Sequence, residues 1–467
     1  MLHTFTVNGD YLAFDSETQA LVAMDYLPWR LLEAFDAFTG EGPDTAALTR
    51  IRLEFPDQAD AIAEIAAEIA ALRDDEALFA PPTEVNLEQL YPEKPLIKSM
   101  CLHICHDCNL RCRYCFAGQG DYHSGMRSLL SAEVGKQAID FLIDASGKRH
   151  NLDIDFFGGE PLLNWDVVVE LVDYCEQRSA ETGKDLRLTI TTNALLLNKE
   201  KRDYINMHFK NCVLSIDGRE QVHNYMRPSP SGADSFAPIL RNIKEFVAER
   251  GDKEFYVRGT YTHYNTDFAS DVAFLASEDL QQISMEPVVA DSHEPYALTA
   301  EDIEKIKTEY EKLAFHYVEE KDGAHPYRFF HFNLDLDEGP CAYKRLKGCG
   351  VGTEYIAVTP QGDIYPCHQL VGKDEFLMGN VSQKPNQLNP AITAQFADHL
   401  VPDRQPCQTC WARYYCAGGC VANHYQATGS LDGIYEQGCE LQKKRLEAAL
   451  WVKYKEKEKE LAREQFA

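Results

Sequence analysis

The sequence predicts an α/β protein: a partial (β/α)6 barrel over residues 96–330, with a small winged-helix-like unit over 1–80 before it and a cysteine-rich domain over 331–445 after it. Three observations predict this. Strand and helix signals alternate six times along the central stretch, which implies a parallel sheet with its chemistry at the strands' C-terminal ends. A hairpin signal followed by helical stretches opens the chain. Glycine, proline and cysteine crowd the region beyond residue 331.

In the N-terminal unit, Asn8-Gly9 lies between Phe5/Val7 and Tyr11/Phe14, a two-residue hairpin signal. A third short strand, Ala20 to Met24, follows a Ser-Glu-Thr turn. Helices are expected over Trp29–Phe38, Thr45–Phe55 and Asp57–Leu78. With so few strands, one sheet edge should stay open. The linker 81–95, "PPTEVNLEQLYPEKP", is rich in proline. Barrel strands are expected at Leu96–His103, Leu152–Phe157, Leu186–Thr191, Cys212–Ile216, Glu254–Tyr261 and Gln282–Val288. Helices fall between them, as at Ser131–Asp144, Trp165–Thr182 and Ile239–Glu249. The tail, 446–467, reads as a solvated helix without chemistry.

Composition narrows the function. The chain has 467 residues, 45% of them hydrophobic, enough for more than one core. It has no apolar run of about 20 residues, so no membrane span is expected. The N-terminus shows no basic start followed by an apolar stretch, so a cytoplasmic location is expected. Fifteen cysteines in a reducing compartment point to metal or cluster ligation rather than disulfides. A formal charge of −28 argues against a large nucleic-acid footprint.

Within "HDCNLRCRYCF", Cys108, Cys112 and Cys115 follow the first barrel strand. A structural zinc ion takes four protein ligands, whereas three closely spaced thiolates suit a cubane cluster with one free iron. Cys101 and Cys105, on the strand, read as small buried hydrophobes, as do Cys175 and Cys212. This CxxxCxxC spacing, with Tyr114 before the third cysteine and Phe116 after it, resembles the signature of radical S-adenosylmethionine (SAM) enzymes. "FFGGEP" at the second strand's end, "TTNA" at 191–194, "SIDG" at 215–218 and "VHNYMRP" at 222–228 resemble that family's further motifs. The resemblance implies that Cys108, Cys112 and Cys115 are catalytic and hold a [4Fe–4S] cluster whose open iron binds SAM. It also implies SAM contacts from Tyr114, Gly158, Gly159, Glu160, Pro161, Asn193, Ser215, Asp217 and Arg227, the last near the SAM carboxylate. Reductive cleavage would then give a 5′-deoxyadenosyl radical.

Seven further cysteines, Cys349, Cys367, Cys407, Cys410, Cys416, Cys420 and Cys439, resemble the SPASM domain of peptide-modifying radical SAM enzymes, with a pair of zinc ribbons as the alternative. The resemblance implies a distal [4Fe–4S] cluster on Cys407, Cys410, Cys416 and Cys439 and a proximal one on Cys349, Cys367 and Cys420, three clusters in all. Either Cys341 is the proximal cluster's remaining ligand, or that iron is open to a substrate cysteine.

Across its whole length the chain resembles the SCIFF (six-cysteine peptide) maturases. Besides the core motifs, "FTVNGDYLAFDSETQALVAMDYLPW", "YVRGTYT", "ISMEPVV" and "GCGVGTEYIAVTPQGDIYPCHQL" carry this likeness. It implies intramolecular thioether formation in a small, ribosomally made cysteine-rich precursor peptide. Residues 1–80 would be a RiPP recognition element that binds the leader, and a ferredoxin or flavodoxin would supply electrons. An exposed sheet edge suits this role, since it can take an extended peptide as an added strand. Two positions depart from the family pattern: Ala194 stands for the Gly of TTNG, and Asn224 stands where Asp is common. Arg258 is a second candidate for the SAM carboxylate, and Glu286 a candidate cavity residue. The competing functions are another SPASM modification, such as formylglycine formation on a sulfatase, and a non-catalytic iron–sulfur carrier or peptide-binding scaffold.

Overall fold

The structure is a computed structural model that describes residues 1–82, 84–91, 96–336, 342–383 and 388–465. At the N-terminus, strands β1 (Leu2–Val7), β2 (Asp10–Asp15) and β3 (Leu21–Met24) form an antiparallel sheet in that order. Asn8 and Gly9 both take positive φ, 50° and 87°, as the predicted two-residue turn requires. Helices Tyr26–Leu32, Thr45–Glu54 and Ala59–Asp74 cover the sheet around Leu31, Ile51 and Ile62. The first helix begins before its expected position at Trp29. Asp25 is its N-cap residue, and Pro28 fits in the first turn, where its missing N–H costs nothing.

Among the described residues the larger sheet has eleven strands: β4 (Ser99–His106), β5 (Ser128–Leu129), β6 (Asn151–Gly158), β7 (Asp185–Thr192), β8 (Asn211–Ser215), β9 (Tyr256–Tyr261), β10 (Gln282–Pro287), β11 (Arg328–Phe329), β12 (Tyr355–Val358), β13 (Asp363–Tyr365) and β14 (Gly379–Asn380). From β4 through β6 to β11 each strand pairs in parallel with the next, the order a (β/α) unit repeat dictates. Alternation along the strands sends Leu152, Ile154 and Phe156 of β6, and Ile190 and Leu214 beyond it, into the layer under the helices, all with 0% exposure. The opposite face lines the barrel interior.

Two features differ from expectation. First, the cysteine-rich region is not set apart from the barrel. β12 pairs in parallel with β4, Ala357 opposite Cys101, so the C-terminal strands continue the barrel's own sheet. Buried Glu354 fastens this junction with ion pairs to Lys98 (2.6 Å) and Lys347 (2.9 Å). Second, the C-terminal helix begins at Glu436 rather than at residue 446, and it is not a solvated tail. Leu446, Ala449, Leu450, Trp451 and Val452 are buried, and the helix packs against helix Ala300–Glu320 and β1. Among the described residues, no helix is long and apolar enough to cross a membrane.

Candidate functional site

The three-cysteine loop leaves the top of β4 and is seated by glycines. Gly158 ends β6 at φ +123°, where a Cβ would lie 2.3 Å from the Cys105 carbonyl oxygen. A Cβ on Gly159 would lie 2.0 Å from the Asp107 carbonyl oxygen. Only residues without a side chain let β6 come this close to the loop. Pro161 opens the short helical turn that follows. The Glu160 N–H donates to the Asp107 carbonyl at 2.8 Å, and the Cys105 thiol donates to the Glu160 carbonyl at 3.0 Å. Cys105 and Cys101 are buried, as are Cys175 and Cys212.

The Glu160 carboxylate turns inward and joins two motifs. It accepts from the Thr192 hydroxyl (2.7 Å), the Asn193 N–H (2.8 Å) and the Leu162 N–H (3.0 Å). Burial raises its pKa to about 6 although these bonds oppose the rise. Asn193 in turn directs its amide at the loop, 2.7 Å from the Asn109 side-chain oxygen and 3.7 Å from the Cys108 sulfur. Ala194, in the family's glycine position, is buried at φ 60°.

A second tie comes from β8 and the helix after it. Asp217, fully buried, accepts from the Tyr114 hydroxyl at 2.6 Å and from the Thr260 N–H at 3.0 Å. It also accepts from Arg227 at 2.9 and 3.0 Å, and the Arg227 guanidinium lies 5.5 Å from the Tyr114 ring centre. Arg227, expected near a SAM carboxylate, is thus paired inside the protein. Asn224, where an Asp is common, accepts from the Ser235 and Phe236 N–H groups, so it caps the next helix. The same loop is held from outside by the Arg111 and Arg113 N–H groups, which donate to the Pro228 and Met226 carbonyls.

The cysteines fall into three groups. Burial raises the Cys108 thiol pKa, and the facing Glu160, Cys112 and Cys115 raise it further. Burial and the nearby Cys420 and Cys349 raise Cys367. Burial, Cys439, Cys410 and Cys407 raise Cys416 to about 12. Each group is therefore a nest of mutually facing thiols. Among the described residues, however, no such group converges closely enough to hold a single metal ion. The raised pKa values mean that loading any metal or cluster there must displace protons. Cys341 lies outside the described residues.

The barrel interior is polar. Register places Cys101, Asp155, Thr191, Val213, Ser215, Arg258, Ser284 and Glu286 on one face. Asp155, missed in the sequence, accepts from the Thr191 hydroxyl at 3.2 Å, and burial raises its pKa to about 7. Strand alternation in "NLDIDFF" sets it on the face opposite Leu152, Ile154 and Phe156, but the same pattern holds for Asp153, so the sequence does not single it out. Arg258 stands beside Ser215 in register, is exposed to the interior, and has no hydrogen bond or ion pair among the described residues. Glu286 is ion-paired to Arg445 of the C-terminal helix (3.1 Å), and a His331 ring nitrogen lies 3.2 Å from its other oxygen. Burial pushes its carboxyl up, but His331, Arg445 and Arg258 outweigh this and hold it at about 2. His368, next to Cys367, meets the Tyr355 hydroxyl at 2.7 Å.

The chain is similar to known iron–sulfur proteins. A model of a 4Fe-4S single cluster domain matches residues 99–236, and the SPASM iron-sulfur cluster-binding domain matches residues 349–411. The radical SAM cyclopropyl synthase TigE of Paramaledivibacter caminithermalis is 22% identical over 363 residues, which span 74% of this chain and 72% of TigE. A cysteine-type anaerobic sulfatase-maturating enzyme of Clostridium novyi is 25% identical over 339 residues, 68% of this chain and 86% of that enzyme. In fold, the chain is similar to anSMEcpe with bound AdoMet and a peptide, with a TM-score of 0.60 and 19% identity, covering 75% of this chain and 96% of that one. It is also similar to Streptococcus suis SuiB bound to precursor peptide SuiA, with a TM-score of 0.53 and 15% identity, covering 93% and 97%. The two matched domains indicate [4Fe–4S] clusters, and the relatives that the chain is similar to include radical SAM and sulfatase-maturating enzymes.

Proposed function

We propose that this chain is a cytoplasmic radical SAM maturase that forms intramolecular thioether bonds in a ribosomally made, cysteine-rich precursor peptide. Cys108, Cys112 and Cys115 would hold the cluster that binds SAM, and the other two thiol groups would hold the auxiliary clusters. When bound, these groups supply a 5′-deoxyadenosyl radical and a path for the spare electron; a ferredoxin or flavodoxin would be the donor.

The protein's own part is positioning. Asn193 and the Gly158–Gly159 turn hold the cysteine loop, and the Tyr114–Asp217–Arg227 set fixes its far side. Ser215 and Arg258, which has no partner among the described residues, face the interior where a SAM carboxylate would be received. The polar interior walls would bind the peptide segment to be cross-linked. Residues 1–80 would bind the leader along the free edge of β3.

One observation carries the peptide-maturase reading over a sulfatase-maturase one. The fold likeness to SuiB, whose structure holds a precursor peptide, covers 93% of this chain, whereas that to anSMEcpe covers 75%. The test is anaerobic incubation with SAM, dithionite and a cysteine-rich precursor. We expect 5′-deoxyadenosine and a peptide lighter by two hydrogens per cross-link. Conversion of a sulfatase-derived peptide to formylglycine instead would favour the second reading, and absence of 5′-deoxyadenosine would exclude both.

A further inference from the structure

The N-terminal unit rests on a surface built by the four-thiol group. Five residues separate Cys410 from Cys416, and four of them touch the N-terminal sheet. Trp411 stacks on His3, ring centres 4.0 Å apart, and meets the edge of Phe14. Arg413 pairs with Glu17, both almost completely buried, and the Tyr414 hydroxyl donates to Glu17 at 3.0 Å. Tyr415 packs on Phe14, with its hydroxyl 2.9 Å from the Gln19 amide. The C-terminal helix, whose first turn carries Cys439, supplies the rest. Glu447 bonds His3 at 2.9 Å, the Trp451 indole donates to Asp10 at 2.7 Å, and Lys455 pairs with Asp10 at 2.9 Å.

We propose that loading of the Cys407, Cys410, Cys416 and Cys439 site creates the docking surface for the N-terminal unit, so that peptide recognition depends on the distal cluster. This rests on the reading of those thiols as a cluster site. The gripping loop lies between Cys410 and Cys416, and the gripping helix carries Cys439 in its first turn. Metal–thiolate bonds would fix loop 411–415 and the start of the C-terminal helix relative to each other. With thiols alone, nothing covalent sets that spacing. The Arg413–Glu17 pair makes the contact sensitive to it, because a buried charge that loses its partner is strongly destabilising.

Hydrogen–deuterium exchange read by mass spectrometry on the full-length protein tests this. In Cys410→Ser/Cys416→Ser, exchange in residues 1–24 should rise about tenfold over the reconstituted wild type, while β7 stays protected. The same rise should appear in Glu17→Gln with iron content intact. It should not appear in Cys108→Ala/Cys112→Ala/Cys115→Ala, which empties the other site. If the first variant unfolds globally, wild type before and after iron–sulfur reconstitution decides in its place. Equal protection of residues 1–24 in loaded and emptied protein would overturn the proposal. A rise in exchange without any precursor binding by the loaded enzyme would leave the docking intact and count against the peptide-maturase reading instead.

Discussion

Asp217 accepts two hydrogen bonds from Arg227, at 2.9 and 3.0 Å, while its second oxygen also accepts from the Tyr114 hydroxyl between two of the loop cysteines. One buried carboxylate therefore links β8, the helix beyond it and the three-cysteine loop. Removing it leaves Arg227 buried without a counter-charge. Asp217→Asn should cost about 3–5 kcal/mol in denaturant unfolding and lower iron loading at the Cys108 site. Tyr114→Phe removes only one bond to a charged group and should cost about 1.5–3 kcal/mol. Equal losses from the two would show that the arginine pair is not the stronger tie.

The glycine pair gives a steric prediction. At Gly159 a methyl group would overlap the Asp107 carbonyl oxygen, 2.0 Å away, and both partners are backbone, so neither can swing aside. Gly159→Ala should displace the loop and reduce the cluster's absorbance after reconstitution. Gly183→Ala is the control: it lies at φ +69° with nothing within 4 Å, so it should cost only about 1 kcal/mol and keep full loading. Full loading in Gly159→Ala would mean that the loop is not seated by this approach.

The central barrel is legible in sequence because each strand is short, alternates or runs apolar, and is followed by an amphipathic helix. Leu152, Ile154 and Phe156 carry that signal locally. Long-range pairings carry none. Nothing in "YIAV" says that β12 will add to β4, and nothing in "EQGCELQKK" separates a helix start from a loop. The same holds within the site. The cysteine spacings are local and visible, whereas the commitment of Arg227 to Asp217 depends on where a helix lands. Glu286 shows it again, since its partner Arg445 is on the C-terminal helix.

Asp155 predicts a pH dependence. Burial lifts its pKa from an ordinary 3.8 to about 7, against the Thr191 bond and the charge of Arg258. Cys101, Tyr355 and Cys212 are the other titratable groups near it. A carboxyl with a raised folded pKa keeps its proton in the native state after the unfolded chain has lost it. Its contribution to stability is full below about pH 4 and declines as pH rises to about 7. The decline corresponds to roughly 4 kcal/mol at most. Asp155→Asn, which cannot ionise, should gain on the wild type by up to that amount between pH 4 and pH 8 in denaturant melts. A constant difference between the two proteins across that range would show that ionised Asp155 costs the fold nothing.

Arg258 and Arg227 divide a role that the sequence leaves open between them. Both are cations near the strand tops, but Arg227 is bonded twice to a buried aspartate, whereas Arg258 faces the interior beside Ser215 with no partner among the described residues. A guanidinium with no partner among the described residues is ready for a carboxylate, since binding need not first break an internal ion pair. Arg258→Met should weaken SAM binding to the reconstituted enzyme about ten- to a hundredfold, the value of a bond or two to a charged group. Its unfolding free energy should change little. Arg227→Met should show the reverse pattern: a large loss of stability from the orphaned Asp217, and near-normal SAM affinity in the fraction that folds with full iron. Equilibrium binding under anaerobic conditions, normalised to iron content, separates the two. Normal SAM affinity in Arg258→Met together with lost affinity in well-folded Arg227→Met would return the carboxylate to Arg227 and require the Asp217 pair to open when SAM binds.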